Sequence, residues 1–184
     1  NTNLFLHSDS LVSQLQHRIF TPVYDEGDNA GAGNGQSFYP LMTYAEYCFI
    51  RAELGQKGIT ADNAKTWYEA GVTASIQFYN DRAIAAKVTG YTAVADTTIA
   101  NYLSNATRGK FDPAKALDQI YCQAYIDFFR QPSEAWAWWK RTGFPNTTSV
   151  LAWEPTTFNG AAIALPRRAS ITPLPRLSFA MNVR

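Results

Sequence analysis

The chain has 184 residues, of which 46% are apolar and 17% charged, and its formal net charge is +1. This length permits one domain that buries roughly 70% of its unfolded surface and needs no metal or disulfide staple. Near-neutrality with a high apolar fraction excludes a solvated disordered chain and a strongly basic nucleic-acid binder, and no apolar run reaches the roughly 18 to 20 residues of a spanning helix.

From Asn1 to Phe38 the pattern is irregular, and "YDEGDNAGAGNGQS" reads as a glycine-rich surface loop. Its "GAGNG", Gly31 to Gly35, shares only glycines with a phosphate cradle, because no apolar strand precedes it and no helix opens directly on it. Asp25, Glu26 and Asp28 offer hard oxygens of the kind calcium takes, but acids in a loop are more commonly solvated. His7 and His17 do not stand at zinc-motif spacing, and neither a GxSxG nor a P-loop GK[ST] occurs. No metal site, cofactor or catalytic residue is therefore assigned.

The first strong helix signal is "MTYAEYCFIRAELGQKG". Thr43 and Glu46 stand in capping-box register, Met42 and Tyr47 in that of a hydrophobic staple, and a helix is predicted from Tyr44 to Lys57, stopped by Gly58. A second helix is predicted over Asp62 to Asn80. Ala64, Tyr68, Gly71 or Val72, and Ser75 mark one face, while Trp67, Ala74 and Phe78 mark another, so it is sandwiched between neighbours. The short "KGITA" link makes the two an antiparallel hairpin, in which Ala52, Ala64 and Gly71 allow close approach. This is a single copy of a tetratricopeptide-like unit.

Further on, "TTIANYLS" suggests a short helix. Asp112 as N-cap and Pro113 as first residue open a longer one, whose stripe is Leu117, Ile120, Tyr121, Ala124 and Phe128. Pro132 opens the next helix and Gly143 closes it. After Phe144, five prolines and no sustained period indicate an extended tail over the helices. Cys48 and Cys122 sit in apolar helical runs without metal or CxxC spacing and read as buried thiols.

The stretch "EAWAWWKRTGFP" carries three indoles that cannot share one face. At about 100° per residue, Trp139 lies roughly 60° from Trp136, and Trp138 lies about 160° from it. Aromatic burial then favours Trp136 and Trp139 as anchors against the Leu117 stripe. Trp138 is the ring left over, free to stack on a ligand.

The blocks "YPLMTYAEYCFIRAEL", "NAKTWYEAGVTASIQFY", "ALDQIYCQAYIDFFRQPSEAWAWWKRTGFP" and "LPRRASITPLPR", in this order, resemble the C-terminal half of the SusD/RagB family of Bacteroidetes outer-membrane lipoproteins. The resemblance covers nearly all of residues 1–184 but only the latter part of the family's length, so the chain is expected to be the C-terminal part of one SusD-like domain whose N-terminal half is absent. It implies an all-α fold of tetratricopeptide-like hairpins with long irregular loops and an extended C-terminal tail. It also implies a lipid anchor on an upstream segment and display on the extracellular face of the outer membrane. The implied role is that of a non-enzymatic lid that captures glycan, or sometimes peptide, for a SusC-like TonB-dependent transporter. Thr43, Glu46, Trp136, Trp139, Arg141, Thr142 and Gly143 match family blocks of structural character. Trp138 departs from a position often polar in the family, which makes it a local specialty. Arg167 and Arg168 match the Arg-Arg block, and their guanidinium forks are expected to tie the tail to carboxylates such as Glu134.

No ligand residue carries over from the family. Stacking on sugar faces needs accessible aromatic rings near loops, and Trp138, Trp153, Tyr91 and Tyr102 are the candidates, with packing beneath a loop as the competing reading for each. A second class of function also stands: a helical interaction scaffold whose hairpins hold a protein and never touch a small nutrient.

Overall fold

The computed structural model describes residues 39–164 apart from residue 89. His7, His17, the glycine-rich loop with Asp25, Glu26 and Asp28, and the pair Arg167 and Arg168 lie outside the described residues.

The described chain is helical. The first helix, α1, spans Tyr44–Gln56, and its capping box forms: Thr43 Oγ1 accepts from the Glu46 amide at 2.9 Å, and the Glu46 carboxylate accepts in return from the Thr43 amide. Met42 is exposed and does not close a buried staple. Lys57 caps α1, and Gly58 then takes a left-handed φ of 67°. Helix α2, Ala64–Ala85, is capped by Asn63 and runs past the predicted Asn80. Asn80 is itself buried because its side-chain amide brackets the next loop, donating to the Val94 carbonyl and accepting from the Val94 amide, both at 3.0 Å.

The α1–α2 hairpin forms as the short link requires. Gly71 of α2 lies directly against the Phe49 ring, so a Cβ there would stand 2.7 Å from Phe49 Cε1. Gly71→Ala is accordingly expected to destabilise the fold by about 1 to 3 kcal/mol through overpacking. The check is a lower urea midpoint at unchanged m, and an unchanged midpoint defeats the prediction.

A short helix, α3 (Asp96–Ser104), buries only Ile99 and lies at the edge. Asp112 accepts from the Ala114 amide at 3.0 Å, but the turn that it caps is 3-10 (Pro113–Lys115), and the α-helix α4 begins at Ala116 and ends at Asp127. A second 3-10 turn, Phe128–Arg130, leads to α5, Pro132–Thr142. Thr43 Oγ1 and Tyr79 Oη both donate to Asp127, so α4 finishes where α1 begins, beside the C-terminal half of α2. Phe49, Tyr68, Ile120, Phe128 and Trp138 centre the core among these helices. Cys48 and Cys122 are buried free thiols, and burial pushes Cys122 up to about 11.

Between α5 and Ala164 the described chain has no further helix, yet it carries one small feature that the sequence did not announce. Thr157–Phe158 (β1) pairs antiparallel with Ala161–Ala162 (β2), with Gly160 at φ 78° in the turn. The preceding segment is pinned to α4, because the Val150 amide donates to both Asp118 carboxylate oxygens at 3.1 Å.

Candidate functional site

Helix α5 presents two faces, and the inner one fixes its position. Pro132 occupies the first turn, where an absent N–H costs nothing. Gly143 ends the helix at φ 77°, its amide donating to the Trp139 carbonyl at 2.7 Å. Trp138, only 7% exposed, packs edge-on against Tyr121 and Phe128 at centroid distances of 5.9 and 5.4 Å. Arg141 lies 4.5 Å over the Trp138 ring and reaches through to Glu53 of α1.

Glu53 is buried and receives four hydrogen bonds. Arg141 Nη1 and Nη2 donate to its two oxygens at 2.6 and 2.8 Å, Lys57 Nζ donates at 2.6 Å, and the Tyr121 hydroxyl at 3.0 Å. Burial, the largest single influence, raises the Glu53 carboxyl; the Arg141 fork, Lys57 and Tyr121 together outweigh it and hold the group at about 2. One carboxylate thus joins α1, α4 and α5. The sequence did contain a signal for it: Glu53 falls on the same helical face as Ala45, Phe49 and Ala52, an acid on an apolar stripe.

Two of the three tryptophans depart from expectation, whereas Trp139 is buried as expected, at 8% exposed. Trp138 is a core residue and is withdrawn as a ligand candidate, while Trp136, expected to be an anchor, is 42% exposed. The physical reason is that the inner face of α5 must offer both a ring to Tyr121 and Phe128 and a cation to Glu53, and only the Trp138–Arg141 pair does both. Trp136 and Trp139 do share a face, with centroids 5.2 Å apart and planes 30° apart.

The outer face of α5 continues into a row of rings. Trp139 lies 6.1 Å from Trp153, and Trp153 lies 6.3 Å from Tyr125 of α4. The sequence Trp136, Trp139, Trp153, Tyr125 lines an open cleft of about 480 Å³ to which Glu154 and Thr156 add polar groups. Lys140 Nζ stands 5.9 Å over the Trp136 ring. An adjoining apolar groove of about 630 Å³ shares Tyr125 and Pro132 with the cleft and adds Tyr79, Ile126, Phe129 and Leu151. Chemically, the cleft offers ring faces and a few hydrogen-bonding groups on a rigid mount, a composition suited to holding a ligand with apolar faces and a polar rim.

Of the other candidates, Trp153 stands in this cleft. Tyr91 is elsewhere, its hydroxyl donating to Asn80 Oδ1. Tyr102 packs its ring beneath Gly109 and accepts from Gln123 Nε2 at 2.7 Å, so the structure does not bring Tyr91 or Tyr102 to the cleft. Tyr125 was missed because it lies in a strongly helical segment, and periodicity gives no hint that its ring meets a loop tryptophan. Among the described residues no group of three His, Cys, Asp or Glu side chains converges for a metal ion, and no helix is long and apolar enough to cross a membrane.

The described residues form an all-α fold of packed helices, and the comparisons give it a family. Residues 10–169 match a SusD-like family described as starch-binding and associating with the outer membrane. A solved structure described as Bacteroidetes AC2a SusD-like is 35% identical, with a TM-score of 0.53 over 67% of this chain and 22% of that one. The chain belongs to the SusD-like family. It spans about a fifth of the length of that relative. A comparison with curated proteins finds no match.

Proposed function

We propose that this chain contributes the glycan-capturing surface of a non-enzymatic outer-membrane subunit that passes oligosaccharide to a SusC-like TonB-dependent transporter on the extracellular face. The observation that carries this reading is the row Trp136, Trp139, Trp153 and Tyr125 along an open cleft. A pyranose has an apolar face that stacks on such rings and hydroxyls that Glu154 and Thr156 can pair. Peptide is the lesser expectation, because the polar groups of the cleft are few and the rings dominate.

Malto-oligosaccharides titrated into the full-length protein are the direct test, followed by calorimetry. Trp136→Ala and Trp153→Ala are each expected to weaken binding about tenfold or more, in keeping with about 1 to 3 kcal/mol for a lost stacking ring. Unchanged heats in both variants, or no heat with any glycan, sink the reading. The scaffold alternative finds support in the adjoining groove, where Ile126 and Phe129 are about half exposed. It predicts recovery of a protein partner that is lost on Phe129→Ser, with no sugar bound.

A further inference from the structure

The aromatic cleft has a smaller neighbour. A cavity of about 250 Å³ shares Trp139, Trp153 and Thr156 with the cleft, so the two spaces adjoin at the Trp139–Trp153 pair, whose centroids stand 6.1 Å apart. Part of its wall is Gly143, the left-handed stop of α5, and Asn146, which is fixed because its Nδ2 donates to the Gly143 carbonyl at 3.2 Å and its Oδ1 accepts from the Thr148 amide at 2.9 Å. Another part is Ala162 and Ile163. The β1–β2 pairing places them there, helped by the Ile163 amide, which donates to the Thr156 carbonyl at 2.8 Å. The small hairpin thus closes this cavity.

Size, hydrogen bonding and charge together define an occupant. At about 250 Å³ the cavity is smaller than the roughly 300 to 1,000 Å³ of a pocket that holds a whole ligand, so it takes one unit of a longer molecule. Thr147 and Thr156 line it, and neither hydroxyl makes a hydrogen bond among the described residues, which leaves two donor and acceptor groups beside an indole. No ionisable side chain lines it, and Lys140, which stands over Trp136, lines neither space. An anionic unit placed there loses hydration without meeting a cation, and Glu154 in the adjoining cleft opposes it further. We propose that this cavity is a second sugar subsite, which takes one neutral unit of an oligosaccharide running from the Trp136 cleft past Thr156. The inference rests on the glycan reading and adds a length and a charge to it: the ligand is a neutral chain longer than the cleft alone holds. Trp153 borders both spaces and marks the crossing point.

The test is calorimetry of the full-length protein with maltose, maltopentaose and an oligogalacturonate as long as maltopentaose. Maltopentaose is expected to bind about tenfold or more tighter than maltose, because added units gain contacts only where a second space receives them. The oligogalacturonate is expected to bind about tenfold or more weaker than maltopentaose. Ala162→Trp fills the cavity from an exposed strand position that suits an aromatic residue. It should bring the ratio of the two maltose-series affinities to within about twofold of unity. Should Tm show that variant to be unfolded, Thr147→Val decides, because it removes one hydroxyl at nearly constant volume and should lower the ratio about threefold. A ratio near unity in the unaltered protein, or one that the deciding variant leaves unchanged, overturns the second subsite while glycan capture stands. Tighter binding of the oligogalacturonate than of maltopentaose overturns the neutral class. If no sugar of either series gives heat, the glycan reading fails first and the subsite falls with it.

Discussion

Glu53→Gln is expected to destabilise the protein by about 1 to 3 kcal/mol, because it takes the buried anion from the Arg141 fork, Lys57 and Tyr121 while water still reaches about half of the Arg141 side chain. The amide keeps the size of the carboxylate, so the loss comes from charge and acceptor geometry rather than from a cavity. Urea titration of both proteins at neutral pH gives the difference directly, and a change below about 1 kcal/mol contradicts the role assigned to Glu53. The same group sets an acid limb. A carboxylate at about 2 in the folded chain and near 4.3 when unfolded has a depressed folded value, so its contribution is complete above about pH 5 and falls away as pH drops through 4 toward 2. In Glu53→Gln that share of the acid loss is absent, and its stability profile between about pH 5 and 2 should be the flatter of the two.

The second large effect separates two neighbouring indoles. Trp138→Ala removes a 7% exposed ring that two aromatic side chains touch edge-on and over which Arg141 stacks, and it should destabilise the fold by about 3 to 5 kcal/mol. Trp136→Ala removes a ring that is 42% exposed and should cost well under about 1.5 kcal/mol. Its main effect belongs to ligand binding instead. If the two variants unfold in the opposite order, the inward and outward faces of α5 have been exchanged. Because Arg141 contacts both Trp138 and Glu53, the Glu53→Gln/Trp138→Ala double variant should lose less than the sum of the single losses.

On the glycan reading, sugar affinity is expected to follow Trp136 and Trp153. The helix itself is held by Glu53 and Trp138, so the outer face can be changed with little effect on the mount.

Sequence alone determined the local events. Thr43 and Glu46 specify a capping box, Pro132 a helix start and Gly143 a left-handed stop, because these depend on one residue's φ or on a side chain reaching its own backbone. The spacing of Leu117, Ile120, Tyr121, Ala124 and Phe128 specified a buried stripe, and the short link after α1 specified a hairpin. The angle between indoles also placed Trp136 and Trp139 together and Trp138 opposite. Only the tertiary structure decided which side faces inward, since a helical period gives the phase between residues but carries no information on where the neighbours lie. The same limit hid the Glu53–Arg141 pair, whose partners are 88 positions apart, and the ring row that joins Tyr125 to Trp153. Such contacts arise when separate helices and a loop converge, and no local window of sequence contains both sides of them.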